Sequence, residues 1–395
     1  MESGRERILT THVGSLPRGE RLADLLVAKA HGEAVDPDVL GDAIAKALAT
    51  AVRRQIEAGI DIGNDGEIPR TDFISYVTDR IGGFGRGDGP GRLLPLDAQA
   101  FPVWFELLGR SGRRRISPYG LPRTTGPLVY RDSGPVDAAC RGFREALAAA
   151  GDGFAETFMT AVSPGFAATA MVNLHYDRFE DYVFALARAL KHEYERIVEH
   201  GFLLQIDSPD LGMERAGFYQ ESSLAEFIAA MEMHVAALNE AIAGIAPERI
   251  RLHACWGNRD GPHVHDVPCP EVLPVMYRAK VGALVLPFAN PRHSHEIEAF
   301  RRLPLPDGMS LCVGAVETTN NYVEHPQVVA ERLVRAARCV GDRSRIVAAT
   351  DCGFGTFAGD SFTAEDVVWA KLESLAEGAR IASRQLWGRR GSADP

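Results

Sequence analysis

Eight short apolar runs recur along this 395-residue chain, and each ends on polar or ligand-type residues. They are ILTTHVGSLPR (8–18), GIDIGNDGEIPR (59–70), ETFMTAV (156–162), FLLQIDSPDL (202–211), IRLHACWGN (250–258), GALVLPFANPRHSHE (282–296), MSLCVGAVETTNN (309–321) and SRIVAATDCGFGTF (344–357). Continuous apolar runs of this length are strands buried on both faces, and such strands belong to parallel sheets. Amphipathic stretches over 36–58, 179–200 and 224–244 separate several of them, and Gly201 closes the second as a helix C-cap does. Eight βα units predict a closed (β/α)8 TIM barrel in one domain spanning 1–395. An open doubly wound sheet is disfavoured, because no G-x-G-x-x-G follows the first strand.

One segment breaks the rhythm. Residues 84–150 contain the Gly-, Pro- and Arg-rich stretches GFGRGDGPGR and GRSGRRRISPYG and show no long helical period. We read an inserted hairpin subdomain between the second and third barrel strands, laid over the barrel mouth. Arg113, Arg114 and Arg115 within it are either a solvated run or a clamp for an anionic substrate tail.

A formal charge of −10 argues against nucleic-acid or anionic-membrane partners, which demand basic surface. No apolar run reaches the roughly 20 residues of a membrane helix, and the N-terminus lacks the apolar core of a signal peptide. The six cysteines show no small-protein disulfide spacing, so a reduced, cytoplasmic setting is expected. Self-association is left open.

In a barrel the C-terminal ends of all strands meet at one mouth. Ser15, Glu67, Asp207, His253, Cys255, Glu317 and Cys352 all fall at such ends. His253 and Cys255 are separated by one residue, which puts imidazole and thiol on one side of a strand. With Cys352 they make a soft-to-borderline ligand set of the kind zinc prefers, with a fourth position free for substrate. A Zn2+ cofactor that turns a thiol into a thiolate suggests S-alkylation. Glu317 and His293 are the candidate catalytic groups for proton transfer. His263, His265 and His295 are further loop histidines that gate the site or simply cap loops.

The segments TTHVGSLPR, DGEIPRTDF, QID-x-P, LHACWGN, ANPRH and TDCGFGTFAG together resemble the cobalamin-independent methionine synthase superfamily. The likeness is to its single-barrel members, related to the catalytic C-terminal half of the full-length enzyme. It implies a zinc site at His253, Cys255 and Cys352, homocysteine contacts near Ser15, and Glu67 and Asp207 meeting the substrate ammonium. It also implies a methyl donor, whether a methylated folate, a methylcorrinoid protein or another small methyl donor, among which nothing in the chain chooses, and a place in methionine biosynthesis. For Glu67 and Asp207 the competing reading is a salt bridge to Arg18 or Arg70.

Two positions depart from the family pattern. Pro287 stands where a glutamate ligand is expected, and Glu317-Thr318-Thr319 replaces an Asp-x-His that supplies a proton donor. A related branch, the epoxyalkane:coenzyme M transferases, also resembles the chain, with Arg18, Arg70 or the 113–115 cluster to hold a sulfonate. A zinc-free relative of the decarboxylase type, or a non-catalytic protein, is the third reading.

Overall fold

In the computed structural model the described residues are 6–86, 92–109, 120–151 and 153–388. The arginine cluster at 113–115 lies outside them. Ten strands occur in chain order: β1 (Leu9–Thr10), β2 (Ile62–Asn64), β3 (Ile81–Gly85), β4 (Arg123–Tyr130), β5 (Glu156–Val162), β6 (Leu203–Asp207), β7 (Ile250–His253), β8 (Ala283–Pro287), β9 (Ser310–Val316) and β10 (Ile346–Thr350).

Eight of them form one parallel sheet in the order β1-β10-β9-β8-β7-β6-β5-β2. A parallel bridge between Thr11 and Ile62 joins its two ends, closing the sheet into the expected (β/α)8 barrel. The first strand is shorter than its sequence run, because the chain leaves the sheet after Thr11 and continues as the loop that carries Ser15.

Two apolar layers hold the barrel. Inside, Leu9, Val13, Ile62, Phe158, Leu203, Val285, Cys312 and Val347 form a compact cluster. Outside, the opposite strand faces pack against the helices through residues such as Leu204, Leu252, Leu284 and Leu311. The interior also carries a buried cation: Arg251 donates to Thr11 Oγ1 (3.0 Å) and to the His12 carbonyl (2.8 Å), with its guanidinium 4.0 Å above the Phe158 ring. Those bonds tie β7 to the β1 loop across the barrel, and charge-assisted bonds of this kind offset the desolvation of the guanidinium.

The departure from βα rhythm is an antiparallel hairpin, β3–β4. Between its strands, helix Pro102–Gly109 reaches the barrel mouth, where Trp104 Nε1 donates to the Asp260 carbonyl at 2.7 Å. The expectation of no long helix in 84–150 is corrected. Gly134–Ala150 is a 17-residue helix that buries Val136, Cys140, Phe143 and Ala146, and it packs against helix Pro37–Glu57 of the outer ring. Its apolar spacing of four, three and three residues is helical, and its opening Gly134-Pro135 pair is a helix start.

No described helix is long and apolar enough to cross a membrane.

Candidate metal and thiol site

Strand register builds the site. His253 is the last residue of β7, and its parallel partner on β6 is Asp207. That pairing puts the carboxylate beside the ring, with His253 Nδ1 3.1 Å from Asp207 Oδ1. The carboxylate accepts, so Nδ1 carries a proton in either charge state, and Nε2 is the nitrogen that a cation would take in place of its own proton. Gln205 Nε2 donates to the same Asp207 oxygen at 2.8 Å and fixes it in turn.

Cys255 follows two residues past the end of β7's His253-containing strand, and Cys352 stands two residues beyond β10. His253 Nε2 lies 3.8 Å from Cys352 Sγ, and the three ligand atoms of His253, Cys255 and Cys352 all lie within 4.8 Å of one another. A tetrahedral zinc with bonds of about 2.3 Å to sulfur and about 2.05 Å to nitrogen separates such atoms by about 3.6 Å, so the spacing fits the ion.

The electrostatics agree. Burial opposes charge on His253, but its bonds to Asp207 and Cys255 outweigh burial and raise it to about 10. The Cys352 thiol, and then His253, hold Cys255 well below the ordinary thiol range against burial, while Cys352 is pushed well above it. The buried pair therefore shares one thiolate, poised for a cation.

A cavity of about 250 Å³ opens beside the triad, and Ser15, Glu67, Asp207, His253, Cys255 and Cys352 all line it. Ser15 is pinned: its Oγ accepts from Gly355 N at 3.3 Å and its carbonyl from Phe354 N at 2.8 Å. Gly353 makes that approach possible, since a Cβ there would lie 2.1 Å from Ser15 Oγ.

Glu67 sits at φ 53°, a strained conformation for a non-glycine residue. Its Oε1 accepts from Thr160 Oγ1 at 2.9 Å, and its buried Oε2 has no partner among the described residues. Burial first, against Arg70 and with Asp207 adding, raises Glu67 to about 7. The salt-bridge alternative is not what forms: Arg70 donates instead to Thr160 Oγ1 (2.9 Å) and the Thr160 carbonyl (2.8 Å). Thr160 thus relays the cation to Glu67 while leaving one carboxylate oxygen for a ligand.

Arg18, expected to bind substrate, does not line the cavity. Its guanidinium donates to the carbonyls of Arg70 (3.0 Å), Glu67 (3.1 Å) and Gly355, which stitches the mouth loops together.

Glu317 borders a second, smaller pocket of about 20 Å³ with Cys255, Cys352, Pro287 and Thr319. Its Oε1 accepts from Thr318 N (2.9 Å), Thr319 N (3.2 Å) and Thr319 Oγ1 (3.0 Å). His293 borders the same small pocket and not the large cavity; its ring stacks on Trp256 at 4.5 Å, and both nitrogens face carboxylates.

The far wall of the large cavity is aromatic: Phe73, Phe105, Phe166, Phe354, Phe357 and Phe362. The sequence reading missed this wall, along with Thr160, because Phe105 comes from the inserted helix and the others come from three separate segments.

A family model described as "Cobalamin-independent synthase, Catalytic domain" matches residues 8–92. The methionine synthase of Saccharolobus solfataricus is 24% identical over 388 residues, covering 98% of both chains. That of Sulfurisphaera tokodaii is 23% identical over 95% of this chain and 93% of its own. The chain is thus similar, over nearly its whole length, to methionine synthases of the cobalamin-independent type. Among solved structures, a B12-independent methionine synthase from Shewanella sp. W3-18-1, in complex with selenomethionine, superposes with a TM-score of 0.71 at 20% identity, covering 97% of this chain and all of that one. A putative B12-independent methionine synthase from Listeria monocytogenes gives 0.64 at 18% identity, with the same coverages. Both structures thus share this barrel fold over nearly its whole length.

Proposed function

We propose that this protein is a zinc-dependent S-alkyltransferase that passes a methyl group to homocysteine or a similar small amino thiol. The observation that carries the reading is the juxtaposition of a buried His-Cys-Cys triad with the unpartnered Glu67 oxygen in one cavity. The donor set suits Zn2+, and His253, Cys255 and Cys352 would hold it. Bound there, the ion supplies a Lewis acid that stabilises the acceptor thiol as a thiolate at neutral pH.

The chain's own groups do the rest. Glu67 and Asp207 receive the acceptor's ammonium, which needs charge-assisted partners once it leaves water. Asp207 also keeps Nδ1 of His253 protonated, so that Nε2 points its lone pair at the triad. Glu317, on the small pocket behind Cys352, is the group we assign to take the thiol proton. The phenylalanine wall seats the donor and excludes water while sulfur forms its bond to the methyl carbon. The carbon's old bond breaks, and the leaving group takes that electron pair. A methylated folate and a methylcorrinoid protein are the donors to assay first.

A sulfonate-bearing acceptor such as coenzyme M is less well served, since Arg18 and Arg70 are both spent on protein oxygens. The test is turnover of zinc-loaded protein with homocysteine and each methyl donor, beside coenzyme M with an epoxide. Formation of methionine supports the reading; turnover with coenzyme M alone, or a protein that takes up no zinc, overturns it.

A further inference from the structure

Across Trp256 from the thiol site, two imidazoles converge on a single carboxylate oxygen. Asp266 Oδ2 lies 2.8 Å from His263 Nδ1 and 2.9 Å from His293 Nε2. Each ring's other nitrogen also faces an acceptor. His293 Nδ1 is 2.8 Å from Glu296 Oε2, and His263 Nε2 is 3.1 Å from the Arg259 carbonyl. Glu296 is itself fixed, its Oε1 accepting from Cys269 N at 2.9 Å.

Counting protons defines the problem. A neutral imidazole carries one N–H, so two neutral rings leave two of their four nitrogens aiming lone pairs at acceptors; with the protons on the outer nitrogens, as on a metal-bound histidine, those two are the inner ones. The two inner nitrogens then aim lone pairs at an oxygen that also offers only lone pairs. Either each ring takes a second proton or a cation lies among the three atoms. Burial penalises two imidazolium ions side by side, although Asp266 offsets it and both rings are raised, His293 to about 9.

We propose that His263, Asp266 and His293 form a second metal site, for a divalent transition ion held by two imidazoles and one carboxylate. Ligand atoms at neighbouring corners of an octahedron, with bonds of about 2.1 Å, lie about 3 Å apart, which is the spacing of Asp266 Oδ2 from each ring nitrogen, and all three ligand atoms lie within 4.8 Å of one another. The outer partners match those of metal-bound histidines, whose second N–H is given to a carboxylate or a backbone carbonyl, setting tautomer and ring direction. The backbone is committed to this aim as well: His263 is held at φ 53°.

The rings cross at 82°, with centroids 6.3 Å apart. Both border the small pocket of about 20 Å³, room for about one water-sized ligand on the open side of the ion. With no sulfur donor, the set favours Zn2+, Fe2+, Co2+ or Mn2+ in a harder environment than the Cys255–Cys352 site. The same pocket borders Cys352 and Glu317, so the two sites share one wall.

Metal counting on full-length protein tests this without reference to turnover, so it stands or falls apart from the alkyl-transfer reading. Protein loaded with Co2+ and freed of excess by dialysis is expected to hold about two ions per chain, a Cys255→Ser/Cys352→Ser variant about one, and that variant with Asp266→Asn added about none. The cobalt retained by the double cysteine variant is expected to lack thiolate charge-transfer absorption. Circular dichroism checks that each variant is folded. Should the cysteine variant not fold, Asp266→Asn alone, nearly isosteric, is expected to drop the count from about two to about one while keeping the thiolate absorption. A wild-type protein that holds one ion, unchanged by Asp266→Asn, overturns the proposal, as does a folded cysteine variant that holds none.

Discussion

Glu67→Gln pits ligand affinity against the stability of the free protein. In the folded chain burial raises this carboxyl from 4.5 to about 7. A group raised on folding contributes stability that is fully present below its unfolded value and is lost as pH rises through its folded value. The shift of about 2.5 units corresponds to about 3 kcal/mol, most of it lost between about pH 5 and pH 8. Glutamine cannot ionise and keeps that contribution, so at pH 8 the variant is expected to be the more stable protein. Binding runs the other way. An ammonium needs the ionised carboxylate, so wild-type affinity falls about tenfold per unit as pH drops below about 7. Losing the charge-assisted bond takes about 1.5–3 kcal/mol, or about 10- to 150-fold, from affinity at pH 8. Methionine is the suitable probe, since it carries the ammonium without a titrating thiol. Calorimetric titration at several pH values reads the affinity, and urea unfolding over the same range reads the stability. A variant that binds methionine as tightly as wild type with the same pH slope, or that loses stability relative to wild type as pH rises, refutes the reasoning.

Asp207→Asn removes the carboxylate that sets the His253 tautomer; metal affinity is expected to fall about 10- to 100-fold, measured by chelator competition, and an unchanged affinity counts against the assignment. Gly353→Ala puts a methyl 2.1 Å from Ser15 Oγ and 3.2 Å from its backbone nitrogen, and is expected to displace the loop carrying Cys352 and lower metal content in a protein that still unfolds cooperatively; full metal content contradicts this. His12 is fully buried and lowered from 6.5 to about 4, by burial first and against its bond to Gln55. A depressed histidine stabilises the neutral fold above about pH 6.5 and surrenders that as pH falls through about 4, about 2 kcal/mol of it by pH 5. His12→Asn is expected to flatten this part of the acid dependence in urea unfolding, and parallel curves for the two proteins between pH 7 and 5 overturn the attribution.

The barrel was readable because all eight strands are buried on both faces and end where polar residues begin, a pattern local to each run. The grouping of His253, Cys255 and Cys352 was readable for a related reason: an H-x-C pair at one strand end and a cysteine at another lie on the same rim of a closed barrel. What stayed hidden depends on register and on rotamer. Asp207 and His253 are 46 residues apart in sequence and meet only because β6 and β7 align them as direct partners. Arg18 reads as a mouth cation, yet its guanidinium is absorbed by three carbonyls, an outcome set by how the loops fold over it. Helix Gly134–Ala150 was obscured by the irregular, glycine-rich stretch before it, although its own apolar spacing is regular. The loop histidines were visible singly, but Asp266, which joins His263 to His293, stands out only once two loops are brought together.

Pro287 closes β8 at the place where a protein ligand was expected, and the residues after it show what the chain does instead. Asp351, the neighbour of Cys352, accepts from Phe288 N (3.0 Å), Ala289 N (2.9 Å) and Asn290 N (2.8 Å). Burial pushes this carboxyl to about 8, Glu317 adds to the rise, and the backbone donors oppose it. The β8 loop is thus wound around a carboxylate from the Cys352 turn, and Gly314 leaves the room, since a Cβ there would lie 2.2 Å from Asp351 Oδ1. Proline offers no ligand, and the three amides after it are spent on Asp351. A metal held by His253, Cys255 and Cys352 would therefore find no further ligand on β8, and the groups left to complete its shell would be Glu317, on the small pocket, or a ligand entering from the large cavity.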